Sequence, residues 1–236
     1  MTQRTELWLA LAMCAFWCPG GGAGVADEPD RFARWEAAIA KFEQQDLEQP
    51  PPKQGIVFVG SSSIRLWNLS QAFPGQPVLN RGFGGSQLAD SVHFCERLVL
   101  KHEPRTVVLY AGDNDVSVGV TPEQVAQDFT DFVKIVRAKL PETAIVYISI
   151  KPSPARWKLA DKAREANRRI AEACAAGERL TFVDVFTPML GEDGQPRAEL
   201  FVKDNLHMNA AGYELWNALV GAALESKNEE ARMNNE

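Results

Sequence analysis

Asp204 and His207 lie three residues apart, a spacing at which one turn of backbone brings a carboxylate to an imidazole. A carboxylate placed there fixes the histidine tautomer and stabilises the imidazolium that forms when the ring takes a proton. Three consecutive serines, Ser61 to Ser63, occur far from this pair in the sequence. A serine hydroxyl becomes a strong nucleophile when such a base lies beside it. These residues alone leave open which of the three serines reacts.

Glycines and an amide supply the groups that would stabilise the oxyanion of such a reaction. Gly82, Gly84 and Gly85 occur in one short segment, where they let the backbone come close to a substrate. Asn114 can donate a side-chain N–H to the same oxygen. The serines follow a predicted strand and precede a predicted helix, and the free N–H groups of a starting helix also stabilise an anion.

Five runs of apolar, β-prone residues alternate with helical patterns through the middle of the chain. Runs such as TVVLY and AIVYISI are continuous rather than alternating, which is typical of strands covered on both faces. Parallel strands joined by helical crossovers predict an α/β fold, a three-layer α/β/α sandwich with a five-stranded parallel sheet. The predicted strands are Ile56–Val59, Pro77–Asn80, Thr106–Tyr110, Ala144–Ile150 and Leu180–Val185.

Several helices have recognisable ends. Thr121, followed by Pro122 and Gln124, predicts a capped helix start, and apolar residues then recur at spacings of three and four. Asn209 is predicted to cap the last helix. An early helix is predicted over residues 31–45.

The polar segments of the chain come after the predicted strands. Ligands of open α/β sheets bind at the carboxyl ends of the strands, so these segments are expected to meet at one edge and form a site there. They are Gly60–Ser63, Arg81–Ser86, Ala111–Asp115, Lys151–Pro154 and, between the last strand and the last helix, Lys203–His207.

Composition restricts the class of protein. The chain has 236 residues, a formal net charge of -6, a hydrophobic share of 45% and a charged share of 24%, as soluble globular proteins do. The acidic balance argues against a nucleic-acid partner, which would require a basic surface. No charge run or basic amphipathic stretch indicates stable membrane insertion.

The N-terminus has the pattern of a secretory signal peptide. Arg4 precedes an eleven-residue apolar run, Leu7–Trp17, and small residues follow it. The run is too short to span a bilayer, so we predict export, with cleavage after Ala26. The predicted organisation is a signal peptide over residues 1–26, a helix and proline-rich linker packed on the domain over 27–53, the main domain over 54–225, and a polar tail over 226–236.

Two cysteines, Cys95 and Cys174, lie beside apolar residues in helical patterns and are predicted to be small buried thiols. The chain has no CxxC motif and no internal repeat. The chemistry predicted above requires neither a metal nor another cofactor.

Four motifs resemble those of the SGNH hydrolases, also called GDSL lipases and esterases. They are GSSS at Gly60–Ser63, NRGFGG at Asn80–Gly85, GDND at Gly112–Asp115 and DNLH at Asp204–His207. They stand in the family's order, and the resemblance extends from Ile56 to about Val220. It implies a flavodoxin-like sandwich for the domain over residues 54–225.

The resemblance also implies a role for each matching residue. Ser62 would be the nucleophile, His207 the base and Asp204 its orienting partner. The N–H groups of Ser62 and Gly85 and the side chain of Asn114 would form the oxyanion hole. Ser61 stands where the family has aspartate, and we expect this change to affect the geometry of the turn more than the chemistry.

The expected activity is hydrolysis of carboxylic esters of small molecules or glycans. No long apolar insertion that could form a lid separates the motifs, so short acyl groups are favoured, acetylated carbohydrates above all. Lysophospholipase and thioesterase activities of the same family are the alternatives. The residues expected at the pocket mouth are Arg65, Trp67, Arg81, Phe83, Asp113, Lys151 and Arg156.

Two functions of other classes are alternatives. A metal or acid–base hydrolase could use the carboxylates of Asp113, Asp115 and Asp204, but it would leave the serine and the histidine without a role. A non-catalytic carbohydrate- or partner-binding module could share the fold, because fold does not settle function.

Overall fold

The structure, a computed structural model, describes residues 30–233, with side chains as far as residue 226. The predicted signal peptide lies outside the described residues. The architecture below belongs to the compact unit that begins at Phe32.

Five parallel strands form one sheet in the order β2-β1-β3-β4-β5. They confirm the predicted α/β sandwich, and in this order the chain reverses direction of winding between β1 and β3. Ligands of doubly wound sheets bind at that switch point, outside the carboxyl ends of the two strands. The strands are β1 (Ile56–Gly60), β2 (Val78–Gly82), β3 (Thr106–Tyr110), β4 (Ala144–Ile148) and β5 (Leu180–Val183).

Helices cover both faces of the sheet. The α-helices are α1 (Glu36–Glu48), α2 (Ser62–Arg65), α3 (Leu69–Ala72), α4 (Leu88–His93), α5 (Cys95–Leu98), α6 (Asp113–Ser117), α7 (Pro122–Lys139), α8 (Ala160–Ala176) and α9 (Ala210–Met233). Short 3-10 helices occupy Ala33–Trp35, Leu100–His102, Pro154–Leu159, Thr187–Met189 and Ala198–Leu200.

Each strand contributes alternate residues to two separate cores. In β3, Val107 and Leu109 pack towards α7 and α8, whereas Val108 and Tyr110 pack towards α9. Trp216 of α9 is fully buried against the second face. Because both faces are covered, the strands have no polar side, which explains their continuous apolar sequences.

The predicted helix caps are confirmed. The Gln124 N–H donates to Thr121 Oγ1 over 3.2 Å, and the Gly212 N–H donates to Asn209 Oδ1 over 3.2 Å. The early helix is shifted relative to its prediction, because a 3-10 turn precedes α1. The last helix continues to Met233, beyond the predicted start of the tail at residue 226.

Cys95 and Cys174 are free, buried thiols, as predicted. Burial raises the pKa of each thiol to about 12, so neither forms a thiolate near neutral pH. Within residues 30–233, no helix is long and apolar enough to cross a membrane.

Candidate active site

Ser62 and His207 meet although they are far apart in the chain. His207 Nε2 lies 3.1 Å from Ser62 Oγ, and His207 Nδ1 lies 2.6 Å from Asp204 Oδ2. The predicted nucleophile, base and orienting carboxylate therefore form one continuous line of hydrogen bonds, an arrangement that is compatible with a serine hydrolase triad.

Asp204 is oriented by its own loop. Its Oδ1 accepts the N–H groups of Leu206 over 2.8 Å and His207 over 2.9 Å, while Oδ2 faces the imidazole. The side-chain hydrogen bond with His207, together with these backbone N–H groups, lowers the pKa of Asp204 to about 2. The carboxylate is therefore ionised at neutral pH, as a group that stabilises an imidazolium must be.

Gly60 sets the direction of the chain just before Ser62. Its φ is +134°, and a Cβ there would lie 1.9 Å from the carbonyl oxygen of Tyr110. The close approach lets the Ser61 N–H donate to that carbonyl over 2.9 Å, while the Gly60 carbonyl accepts the Phe83 N–H over 2.8 Å. Only glycine permits this turn, which places Ser62 at the first residue of α2.

Ser62, Gly85 and Asn114, the predicted oxyanion donors, line the same pocket. Among the described residues, the backbone N–H groups of Ser62 and Gly85 have no hydrogen-bond acceptor. Gly85 has φ +79°, a left-handed conformation that disfavours other residues. Asn114 Nδ2 donates one hydrogen to the Ser86 carbonyl over 2.9 Å, which leaves its second hydrogen for a ligand.

A set of buried charges adjoins the donors. Asp113 accepts hydrogen bonds from Lys151 Nζ, over 2.8 Å, and from Arg156 Nη1. Burial raises the pKa of Asp113, but the charges and hydrogen bonds of Lys151 and Arg156 lower it more, so the net shift is downward. Arg156 Nη2 also donates to Asn114 Oδ1 over 3.0 Å.

An open pocket of about 480 Å³ lies over the hydrogen-bonded side chains of Ser62 and His207. Leu206 is the one large apolar side chain in its wall; the other lining residues are polar or glycine. They are Ser62, Arg65, Gly84, Gly85, Asp113, Asn114, Arg156 and His207.

Of the residues expected at the pocket mouth, Arg65, Asp113 and Arg156 line the pocket. Lys151 does not reach it: the side chain is 2% exposed and lies behind Asp113. Sequence reasoning missed Leu206, although its place between Asp204 and His207 was the signal that could have found it.

Arg81, Phe83 and Trp67 were expected at the mouth, and the structure corrects all three. Arg81 is directed away from the serine and pairs with Asp46 of α1. Phe83 is buried beneath Trp35, with ring centroids 5.5 Å apart. Trp67 lies in the core on the α9 side of the sheet. The apolar rings are more stable in these buried places than at an open pocket, and Asp46 pairs the charge of the buried Arg81.

The carboxylates of the rival hydrolase do not assemble a metal site. Asp113 pairs with cations, Asp115 Oδ1 accepts the Leu88 N–H over 2.9 Å, and Asp204 faces His207. Residues 30–233 contain no group of three or more histidine, cysteine or acidic side chains that could hold a metal ion.

The model of the GDSL-like lipase/acylhydrolase family matches residues 63–215, more than half of the chain. The match includes Asn114, Asp204 and His207 and begins one residue after Ser62. None of the curated proteins matches the sequence significantly.

Solved structures of low sequence identity share the fold. A Streptococcus pneumonia protein named for platelet activating factor is 21% identical over 82% of this chain and 94% of its own, with a TM-score of 0.73. A GDSL-like lipase from Bacteroides thetaiotaomicron is 22% identical over 80% and 98%, with a TM-score of 0.68. An acetylxylan esterase from Geobacillus stearothermophilus is 14% identical over 72% and 93%, with a TM-score of 0.58. With the family match, these findings show that the chain belongs to the GDSL-like lipase/acylhydrolase family and is a carboxylic ester hydrolase.

Proposed function

We propose that this enzyme is a serine esterase that works through an acyl-enzyme on Ser62. The observation that supports this most directly is the distance of 3.1 Å between Ser62 Oγ and His207 Nε2. At that distance the imidazole can take the hydroxyl proton as the oxygen attacks, and Asp204 stabilises the cation that results.

In the first half of the reaction, Ser62 Oγ forms a bond to the ester carbonyl carbon while its proton moves to His207 Nε2. The carbonyl oxygen becomes an oxyanion. The tetrahedral intermediate then collapses: the bond to the leaving oxygen breaks, and His207 returns the proton to the departing alcohol. The acyl group remains on Ser62.

In the second half, water takes the place of the alcohol. His207 accepts a proton from the water as its oxygen attacks the acyl-enzyme. The second tetrahedral intermediate expels Ser62 Oγ, which recovers the proton from His207, and the carboxylic acid leaves. The enzyme returns to its starting state, and no step requires a metal or other cofactor.

The oxyanion is stabilised by the N–H groups of Ser62 and Gly85 and by Asn114 Nδ2. Support for this assignment comes from the donors themselves, since the two backbone groups have no acceptor among the described residues and the amide keeps a free hydrogen. Donors already directed at the developing charge reorganise little during the reaction, which is the main source of their effect.

The walls of the pocket support short acyl groups on a polar alcohol. Only Leu206 offers a large apolar surface, so a long alkyl chain would gain little by burial there, at about 25 cal/mol per Å² of apolar area. Arginine and amide side chains in the same wall match the hydroxyl groups of a sugar. The similarity of fold to an acetylxylan esterase is in keeping with acetylated carbohydrates as substrates.

Export through the N-terminal leader is part of the proposal. A secreted or periplasmic enzyme would meet acetylated glycans outside the cell. The leader pattern over residues 1–26 supports it. Expression of the full chain, followed by N-terminal sequencing of the exported protein, tests it; a chain that stays in the cell with its N-terminus intact contradicts it.

The test of the catalytic assignment is hydrolysis of p-nitrophenyl acetate, butyrate and decanoate by the protein without residues 1–26. We expect the acetate ester to have the highest kcat/KM. Ser62→Ala should lower kcat by roughly 10⁴-fold or more, because the nucleophile is lost. Faster turnover of the decanoate ester would favour the lysophospholipase alternative.

Ser61→Ala and Ser63→Ala are the matched controls. Both hydroxyls lie beside Ser62, and both residues are 2% exposed, so neither is presented to the pocket. We expect each variant to keep kcat within a few-fold of the parent. Activity that survives Ser62→Ala but is lost in either control would move the nucleophile to that serine, and binding of acetylated glycans without any turnover would favour the binding-module reading.

A further inference from the structure

We propose that Arg156 is a positioning residue, which fixes the side-chain amide of Asn114 with its N–H group directed at the oxyanion. The inference rests on the proposed function of the site, because it assigns a role within the same reaction. It starts from one contact, in which Arg156 Nη2 donates to Asn114 Oδ1 over 3.0 Å.

The guanidinium contacts two successive residues of α6. Nη1 donates to Asp113 Oδ1, and Nη2 donates to Asn114 Oδ1. A planar guanidinium holds two acceptors in a fixed relation, which a lysine ammonium does not. Arg156 therefore sets the distance and the direction of the Asn114 side chain relative to the start of α6.

The position of the guanidinium is itself fixed through Asp113. Asp113 binds it and also binds Lys151 Nζ, over 2.8 Å, and the Lys151 side chain is 2% exposed. Lys151 and Arg156 lie in the same segment after β4. The segment also reaches the base side of the site, since the Ala155 N–H donates to the Asn205 carbonyl over 3.1 Å.

The orientation of an asparagine amide matters because its two ends are almost equal in shape and opposite in chemistry. A rotation of 180° would direct Oδ1 of Asn114 at the oxyanion, where it would repel the negative charge. Arg156 has only donors, so it can donate to Oδ1 but cannot bind Nδ2, which is also a donor. The Ser86 carbonyl, which accepts from Nδ2 over 2.9 Å, selects the same orientation from the other end.

A different role for Arg156 would be direct contact with the substrate, because its side chain also lines the pocket. The two roles differ in one measurable way. A residue that acts through Asn114 loses its importance once Asn114 is gone, whereas a residue that contacts substrate keeps it. A double-mutant cycle between the two positions separates these cases.

The experiment measures kcat and KM for p-nitrophenyl acetate in the parent, Arg156→Gln, Asn114→Ala and the double variant. We expect Arg156→Gln to lower kcat by about 10- to 100-fold with KM changed by less than about 3-fold, as for a misplaced catalytic group. In the Asn114→Ala background the same substitution should change kcat by less than about 3-fold. Equal effects of Arg156→Gln in both backgrounds would overturn the proposal.

Arg156→Lys separates geometry from charge. It keeps a cation beside Asp113, so the buried carboxylate stays paired and the protein folds, but it cannot bind both α6 residues as a fork does. We expect kcat to stay close to that of Arg156→Gln. Full activity in Arg156→Lys would show that positive charge alone is sufficient, and would overturn the positioning role.

Arg164→Gln is the matched control. Its guanidinium lies 5.1 Å from the ring centroid of Trp157, the residue next to Arg156, and pairs with Asp161. It contacts the same segment of the chain without touching Asn114. We expect kcat within about 2-fold of the parent, and a loss as large as that of Arg156→Gln would attribute the effect to the packing of the segment and overturn the proposal.

A second readout does not depend on turnover. In the ¹H–¹⁵N correlation spectrum of Ser62→Ala, the side-chain NH₂ of Asn114 should give two sharp proton signals, and Arg156→Lys in that background should shift or broaden both, because the amide then exchanges between orientations about its Cβ–Cγ bond. Unchanged signals would overturn the positioning role. Failure of the serine mechanism has a different signature, namely parent activity that survives Ser62→Ala, so the two proposals fail separately.

Discussion

On one side of Ser62 the proposed base and its partner come from a single exposed loop, whereas on the other side the proposed oxyanion donor Asn114 adjoins a largely buried cluster of charged side chains. Asp204 and His207 lie three residues apart, and the Asp204 side chain is 48% exposed. Asn114 accepts a hydrogen bond from Arg156, which lies 42 residues away in the sequence.

This difference predicts which variants lose activity only and which also lose folding free energy. Breaking the contact between Asp204 and His207 costs little folding free energy, because exposed side-chain pairs contribute about 0–1 kcal/mol. Breaking contacts on the oxyanion side leaves buried polar groups without partners, which costs about 1–3 kcal/mol for each group. We therefore expect variants on the base side to lose activity alone, and variants on the oxyanion side to lose both activity and stability.

Four variants test this difference: Asp204→Asn, Asn114→Ala, Arg81→Met and Asp115→Asn. Of these, Asp204→Asn should lower kcat the most, and it should hardly change the free energy of unfolding. The amide would donate to His207 Nδ1 and hold the imidazole in the tautomer that cannot accept the serine proton, so we expect kcat to fall by about 10³- to 10⁴-fold. The thermal unfolding midpoint should move by less than about 2 °C. Esterase kinetics and differential scanning calorimetry provide the two numbers. A large fall in the midpoint would mean that the base side is as structural as the oxyanion side.

Asn114→Ala should affect both properties. One oxyanion donor is lost, and kcat should fall by about 10²- to 10³-fold. Arg156 Nη2 and the Ser86 carbonyl also lose a partner, so the free energy of unfolding should fall by about 1–3 kcal/mol. Urea unfolding measured beside the kinetics tests the comparison, and a loss of activity with unchanged stability would contradict it.

Arg81→Met tests whether a buried ion pair away from the pocket affects stability alone. Arg81 is 3% exposed and pairs with Asp46, which also binds Lys101 Nζ over 2.7 Å. Burial lowers the pKa of Arg81, although the charge of Asp46 opposes this. We expect a loss of about 3 kcal/mol in the free energy of unfolding, near the low end for a broken buried pair because Lys101 remains.

The same variant should keep kcat and KM for p-nitrophenyl acetate within about 2-fold, provided that the assay is run well below the unfolding temperature. Lys101→Met is the matched control, since its partner is the same Asp46 and its own side chain is 32% exposed. It should lose less stability than Arg81→Met. A rise in KM or a fall in kcat specific to Arg81→Met would show that Arg81 contributes to the pocket after all.

Arg81 also shows where sequence reasoning reaches its limit. Continuous apolar runs predict the strands and their parallel arrangement. The polar segments that follow the strands in the sequence predict which edge of the sheet bears the site. Ser62 and His207 could be brought together because each stands at the carboxyl edge of a predicted sheet. The direction of a side chain at the end of a strand could not be predicted, because it depends on which carboxylate the fold places nearby.

The contact between Arg156 and Asn114 was out of reach for a related reason. Neighbouring motif residues such as Asp204 and His207 are joined by local backbone geometry, which spacing predicts. A contact over 42 residues depends on how two loops fold over the sheet edge, and no periodicity encodes it. Single polar residues in loops, such as Arg156, are equally suited to solvent, so composition does not distinguish the two outcomes.

Asp115→Asn tests how deeply the oxyanion side is buried, through the pH dependence of the free energy of unfolding. Its effect should be the smallest of the four variants. Asp115 follows Asn114 in α6; its Oδ1 accepts the Leu88 N–H, and its Oδ2 is buried without a partner among the described residues. Burial, reinforced by the charges of nearby acids, raises the pKa of Asp115 from 3.8 to about 6. The folded protein therefore keeps a proton that the unfolded chain releases between about pH 4 and pH 6.

Because the folded state binds more protons in that window, the free energy of unfolding should fall as pH rises through it, by roughly 2 kcal/mol from this group. Asp115→Asn cannot titrate and keeps the acceptor for Leu88, so its stability should be higher than that of the parent at pH 7, and this part of the slope should vanish. Urea unfolding at pH 4, 5, 6 and 7 measures both. Asp161→Asn, with a side chain 99% exposed, should leave the slope unchanged. Equal slopes for the parent and Asp115→Asn would show that the carboxylate is hydrated in the folded protein, and the oxyanion side would then be less buried than its contacts imply.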